Sequence, residues 1–224
     1  MRNTITSIIA FILLFNSCRQ SPANEYSIVE IIDMHYRFSG TQLVQICHEN
    51  GIDQTSVYEY NQHWVVFDQK TKVAQLTKSI SEKYPSLCVK HYDTPFYVFD
   101  REEHCGQKVK SKSNHILMTA SLVADTVKQR EYMDYHRLQP ELFPEVVNGF
   151  CKAGFHQLLL YRSGRQLMLV ISIPADSKLD EINHLTTENN PRVTLWNELM
   201  SQYQEGIEDA PEGQVWITFE TIKL

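Results

Sequence analysis

Gly51-Ile-Asp-Gln-Thr-Ser-Val-Tyr58 and Gly154-Phe-His-Gln-Leu-Leu-Leu-Tyr161 align without a gap. Each follows a stretch with helical character and opens an apolar strand. The surroundings repeat as well. In the first half, Tyr26 to Met34 is apolar and β-branched and reads as a strand, and Thr41 to Asn50 as a helix. Gln54 to Tyr60 and His63 to Phe67 form a hairpin turning at Asn61-Gln62. Lys72 to Tyr84 carries Val73, Leu76 and Ile80 at helical spacing, and Leu87 to Val89 and Phe96 to Phe99 read as strands. In the second half, Ile116 to Val123 is a strand, and Asp125 or Thr126 caps a long helix. Gln157 to Tyr161 and Gln166 to Ile173 are strands joined at Ser163-Gly164. Asp176 or Ser177 caps a short helix, Pro191 opens another that runs to about Gln204, and Val215 to Ile222 is the closing strand.

Strand-helix-strand-strand-helix-strand, twice over, is the ferredoxin-like pattern of an α+β protein. Helices from each half cover one face of an antiparallel sheet, and the other face stays apolar and needs a partner. Two sheets in one chain supply each other with that partner. The expected fold is therefore a pair of ferredoxin-like repeats packed as an intrachain α/β barrel, a dimeric barrel made by one polypeptide. Residues 26–101 form the first repeat, the polar segment 102–113 the linker, and 114–224 the second repeat.

The amino terminus reads as an export signal. Arg2 supplies charge and Ile8 to Phe15 an apolar core too short to span a bilayer permanently. Small Ser17 followed by Cys18 resembles the lipobox of bacterial lipoproteins. That resemblance implies a signal peptide over 1–17, lipid attachment at Cys18, a linker over 18–25, and a membrane-anchored protein facing the periplasm or cell surface. Simple secretion is the alternative. A formal net charge of −6 argues against nucleic acid as a partner. Of the remaining cysteines, Cys47, Cys88, Cys105 and Cys151, sequence proximity favours pairing Cys88 with Cys105, with free buried thiols as the alternative. No Cys-x-x-Cys is present, so neither zinc nor another metal is expected.

The chemistry-bearing motif is Tyr132-Met-Asp-Tyr-His136. Residues i and i+4 share a helix face, so a phenol and an imidazole sit side by side. His48 and His63 read as surface or strand-edge residues and His156 as structural. Met118, Met168 and Met200 suit a core. Tyr36, Trp64 and Phe96 have core packing as their default role.

The stretch from about Ile116 to Leu224 resembles the L-rhamnose mutarotase family, dimeric α/β barrels that interconvert the anomers of L-rhamnose. The matching residues are Tyr132 and His136, Phe143-Pro144-Glu145, Gly154, and Trp196 within Pro191 to Met200. Three departures stand out. The chain has three more residues between His136 and Phe143 than the family pattern, where Pro140 kinks or breaks the helix and absorbs the added turn. A sugar-contacting tyrosine of the family falls at Leu158, and an adjacent tryptophan pair becomes Trp196-Asn197. The first half lacks Tyr-x-x-x-His and reads as a degenerate copy that completes the barrel in place of a second subunit.

The resemblance implies a cofactor-independent mutarotase for L-rhamnose or a similar monosaccharide. His136 is the general acid or base, Tyr132 orients the sugar, and Trp196 stacks on its apolar face. A noncatalytic sugar-binding lipoprotein on the same scaffold is the competing function, favoured by Leu158 and Asn197. A different chemistry, such as haem-linked or cofactor-free oxygenation, rests on analogy of fold alone.

Overall fold

The computed structural model describes residues 25–223 except 34 and 36. The export signal, Cys18, Tyr36 and the Met34 end of the first strand lie outside the described residues. The first half contains β1 (Tyr26–Ile32), α1 (Gly40–Glu49), β2 (Val57–Tyr60), β3 (His63–Gln69), α2 (Lys70–Lys83) and β4 (Cys88–Tyr92). Then follow β5 (Tyr97–Asp100) and α3 (Arg101–Cys105). The second half contains β6 (Ser113–Leu122), α4 (Thr126–Leu142), α5 (Pro144–Ala153), β7 (Gln157–Ser163), β8 (Gln166–Pro174), α6 (Leu179–Ile182), α7 (Pro191–Ser201), β9 (Gln204–Glu205) and β10 (Ile217–Thr221).

Local chemistry explains these boundaries. Ser39 closes a capping box with Gln42 at the start of α1. Asp125 caps α4 by accepting from the Val127 and Lys128 amides. Gly51 and Gly154, the first residues of the repeated octapeptides, both take left-handed backbone (φ 69° and 79°) just after a helix. A side chain would strain both positions. The short helix α6 differs from expectation. It begins at Leu179, and its cap, Lys178, makes no side-chain capping bond, so neither Asp176 nor Ser177 serves.

The strands form one antiparallel, ten-stranded curled sheet in the order β4-β1-β3-β2-β10-β6-β8-β7-β5, with β9 beside β6. The stretches β4-β1-β3-β2 and β10-β6-β8-β7 have the same internal order, last strand-first-third-second. They join where β10 pairs with β2. β5 adds to the far edge by pairing with β7, Tyr97 opposite Leu160 and Phe99 opposite Leu158. Phe96 to Phe99 therefore extends the second half's sheet rather than the first. Strand β4 approaches β7 as the sheet curls.

The inner face of the curl is apolar and drawn from both halves: Ile28, Val65 and Phe67 pack with Leu117, Met168 and Val170. Each half covers its outer face with its own helices. In the first, Val73, Leu76 and Ile80 of α2 and Leu43 of α1 pack on Val29, Ile31 and Trp64. In the second, α4, α5 and α7 cover Leu158, Leu160 and Ile171.

The disulfide differs from the expected pair. Cys105 bonds to Cys151, Cα atoms 5.8 Å apart, while Cys47 is free and buried and Cys88 free and exposed. Proximity in sequence failed as a guide because Cys88 sits at the edge of β4, whereas α3 folds back against α5. The bridge closes a loop of 46 residues. Removing it with Cys105→Ser is expected to lower unfolding free energy by about 2–4 kcal/mol in urea denaturation. A change under about 0.5 kcal/mol would show that the bridge does not constrain the unfolded chain.

Candidate functional site

Helix α4 buries Gln129, Tyr132, His136 and Gln139, spaced three or four apart and thus on one face. That face looks onto the outer side of β5, β7 and β8. Along β7 the strand period divides Leu158 and Leu160, which point to this side, from Leu159 and Tyr161, which point into the curl. Between the layers lies a cavity of about 410 Å³, a size typical of small-molecule sites. It is lined by Tyr132, His136, Trp196 and Tyr97 and by an apolar wall that includes Leu158, Leu160 and Leu169. The three residues singled out in the sequence are thus brought together. His136 and Trp196 have ring centroids 5.1 Å apart, and His136 and Tyr132 4.3 Å.

Helix α4 runs through Pro140 to Leu142 and ends at Phe143, whose backbone (φ −138°, ψ 58°) turns the chain directly into α5. The expected break at Pro140 does not occur. Proline lacks an amide hydrogen, so the His136 carbonyl has no helical donor at position 140.

The hydrogen bonds around the cavity have a definite direction. The His136 Nδ1–H donates to the Tyr132 carbonyl oxygen at 2.9 Å. A carbonyl only accepts, so the neutral ring keeps its lone pair on Nε2. The Gln204 amide donates to the Tyr132 hydroxyl oxygen at 3.1 Å, while Gln204 Oε1 accepts from the Trp216 indole at 3.2 Å. The Tyr132 hydrogen is left for another acceptor. Conversely, the Tyr97 hydroxyl donates to Gln139 Oε1 at 3.0 Å, and Gln139 in turn donates to the Phe143 carbonyl at 2.8 Å. Tyr97 is left with lone pairs. The cavity thus presents one hydroxyl donor, one hydroxyl acceptor and one imidazole acceptor within an apolar wall.

Burial sets the ionisation. It pulls the His136 imidazole from 6.5 down to about 4, only partly countered by the hydrogen bond to Tyr132. It pushes the Tyr132 and Tyr97 phenols well above their ordinary value. At neutral pH all three are uncharged.

The sequence did not reveal Tyr97, Gln204 or Trp216, and it offered Gln139 only in an alternative register counted back from Phe143. Tyr97 reaches the cavity only because β5 pairs with β7. Leu158 and Asn197 both line the cavity. Phe96 packs edge-on against His136 at 5.7 Å, and Trp64 lies in the first half's core. His156 is buried with Nδ1 2.8 Å from the Ser113 hydroxyl, a structural contact. Met168 and Met200 are buried in the core, and Met118 packs against it. Among the described residues, no three His, Cys, Asp or Glu side chains are arranged to hold a metal, and no helix is long and apolar enough to cross a membrane.

A family profile described as L-rhamnose mutarotase matches residues 117–222. An L-fucose mutarotase of Xanthomonas campestris pv. campestris is 28% identical over 86 residues, covering 38% of this chain and 67% of that protein. A Dictyostelium discoideum protein, whose family label states no activity, is 30% identical over 96 residues, 42% of this chain and 73% of its own. A solved Lactobacillus acidophilus structure, named for a suggested monooxygenase, superposes with a TM-score of 0.44 at 7% identity, covering 88% of this chain and 92% of that one.

The His136 environment makes a stability prediction. Its folded pKa is depressed, so the stabilising contribution is complete above pH 6.5 and is lost as pH falls toward 4, where the unfolded chain binds a proton that the folded chain refuses. His115 and His156 are lowered by burial as well and add to the same slope. Urea unfolding at pH 7 and 4.5 should show a smaller acid loss in His136→Gln than in wild type, by about 2–3 kcal/mol. Equal losses in the two proteins would mean that His136 is solvated in the fold.

Proposed function

The second half of this chain belongs to the L-rhamnose mutarotase family, and from that premise we propose that the cavity beneath α4 binds L-rhamnose or a similar monosaccharide and interconverts its α and β anomers. The supporting observation is the single unpartnered imidazole nitrogen, His136 Nε2, between a hydroxyl that donates and one that accepts. In this reading Nε2 takes the anomeric hydroxyl proton as the bond from C1 to the ring oxygen opens. The Tyr132 hydroxyl hydrogen stabilises charge developing on that oxygen. The imidazolium then delivers its proton there, leaving the open aldehyde, and reversal after rotation of the carbonyl closes the other anomer. An imidazolium in so dry a site is a strong acid, which favours the return transfer.

Trp196 offers a broad ring to the apolar face of the sugar. The leucine wall suits a methyl group. L-rhamnose and L-fucose, the sugars in the relatives' names, are both 6-deoxy hexoses with a methyl at C6. No cofactor takes part in these steps. We further propose that residues 26–101 are a degenerate ferredoxin-like repeat that completes the barrel where the family uses a second subunit, joined by 102–113 to the repeat at 114–224. The equal strand order of the halves and their shared inner core support this. Export, and anchoring through lipid on Cys18, belong to the same reading and rest on the sequence alone.

A second reading is sugar binding without catalysis. It is favoured by Leu158 and Asn197, which replace a tyrosine and a tryptophan of the family pattern inside the cavity. One measurement separates the two. Saturation-transfer NMR on L-rhamnose is expected to show anomer exchange accelerated by the protein, falling ~10²–10⁴-fold in His136→Ala. Exchange at the uncatalysed rate despite saturable binding would establish the second reading.

Tyr97 supplies a sharper test, because it lies outside the family match. Tyr97→Phe keeps the ring and removes one hydrogen-bond acceptor, so kcat/KM should fall roughly 5–10-fold with the fold retained by circular dichroism. Unaltered kinetics would remove Tyr97 from the sugar site.

A further inference from the structure

A second cavity, of about 1150 Å³, opens between the two halves, at the end of the curl where the β2–β3 hairpin faces the start of β8. Its lining is unlike that of the first. His63, Lys90, Gln166, Arg165, Glu205 and Asp209 face it. Behind them sits Glu30 of β1, with no exposure to solvent. Glu30 Oε1 accepts from His63 Nδ1 at 2.7 Å and from the Gln166 amide at 3.1 Å, and Oε2 accepts from the Tyr92 hydroxyl at 2.9 Å. Lys90 Nζ lies 3.8 Å from Oε2 and donates to Gln166 Oε1 at 2.5 Å. Burial alone would raise the Glu30 pKa. The hydrogen bond from His63, the charge of Lys90 and the bond from Gln166 outweigh it and hold the group below its ordinary value. His63, expected at the surface or a strand edge, opens β3, is half-buried and is held by a carboxylate.

Such a network does not explain itself as a stabiliser. A buried charge with its partners is commonly no more stable than an apolar core of the same volume. What it does achieve is to orient His63. With Nδ1–H committed to Glu30, the ring turns Nε2 outward, 3.6 Å from Asp209 Oδ1. That separation exceeds a hydrogen bond, so both atoms remain open to a ligand. Asp209 itself is fixed by the Asn61 amide at 3.0 Å. Lys90 keeps ammonium hydrogens beyond the one given to Gln166. The site therefore sets a ring nitrogen, a carboxylate acceptor and an ammonium donor along one wall, a mixed pattern that adjacent hydroxyl groups, which both donate and accept, can match.

Charge narrows the ligand. Glu30, Glu205, Glu208 and Asp209 outnumber Lys90 and Arg165, and Arg165 is already paired with Glu205. An anion would meet net negative charge, and a cation would meet the Lys90 ammonium at the floor. We propose that this cavity is a second binding site, for a neutral, hydroxyl-rich small molecule whose adjacent hydroxyls bond to His63 Nε2, donate to Asp209 and accept from Lys90. The site does not depend on the chemistry assigned to the first cavity.

The probe is myo-inositol, a ring of vicinal hydroxyls with no anomeric carbon, followed through the ¹⁵N resonances of the histidine rings in the full chain. A saturable shift at His63 is expected with myo-inositol and none with acetate. Affinity should fall at least tenfold in Asp209→Asn, an exposed loop change that leaves the core intact, and in His63→Gln. A titration that moves only His136, that leaves His63 unmoved to the solubility limit, or that is unchanged in Asp209→Asn overturns the proposal. A response to acetate in place of myo-inositol overturns the ligand class. L-rhamnose exchange measured on the same samples reads the first cavity separately, so failure at one site is not mistaken for failure at the other.

Discussion

The mutual burial of two sheet faces governs this structure. Ile28, Val65 and Phe67 on one side and Leu117, Met168 and Val170 on the other are removed from water only because the halves curl together. Each fully buried aliphatic side chain contributes about 1.5–3 kcal/mol relative to exposure. Neither face has a covering helix of its own to fall back on. Two consequences follow. Helices are confined to the outer faces, where those of the second half leave a cavity over β7 and β8. The ends of the curl, where apolar strands run out, are left to polar groups, and there the Glu30 network sits. One packing constraint thus creates both cavities and gives them opposite character.

The edges of the sheet are handled in the same frame. β10 pairs with β2, so neither half leaves that edge open. At the far end β5 covers β7 and in doing so brings Tyr97 opposite Leu160. A strand that protects an edge also delivers a hydroxyl to the cavity floor. In this layer Leu158 contributes an apolar face and Tyr97 the phenol of the cavity wall.

What could be read from the chain beforehand was what local spacing encodes. The helix-face pair Tyr132 and His136 followed from a separation of four, and the hairpin turns from their residue types, at Asn61-Gln62 as expected and at Gly164-Arg165, one residue beyond the expected Ser163-Gly164. What could not be read depended on contacts distant in sequence. Cys105 meets Cys151 through the docking of α3 on α5, His63 meets Glu30 across β1 and β3, and Gln204 meets Tyr132 across 72 residues. Pro140 misled for a local reason. One missing amide hydrogen is tolerated when the helix face is already held by buried Gln139 and Tyr132.

The choice of amides over acids around the first cavity bears on its chemistry. Gln139 and Gln204 each pass one hydrogen bond onward and fix the direction of a neighbouring hydroxyl, as a carboxylate could not, because it only accepts. They also bring no charge. A glutamate at either position would place an anion near His136 and draw its pKa upward, filling Nε2 with a proton before any ligand arrived. Around His63 the opposite choice is made, with a carboxylate at 2.7 Å and a lysine beside it. The two imidazoles are therefore suited to different tasks. One is buried, uncharged at neutral pH and set in an apolar wall, and the other is held in a charged frame at the edge of a polar cavity. The difference lies in the residues one hydrogen bond behind each ring, Tyr132 carbonyl in the first case and Glu30 in the second.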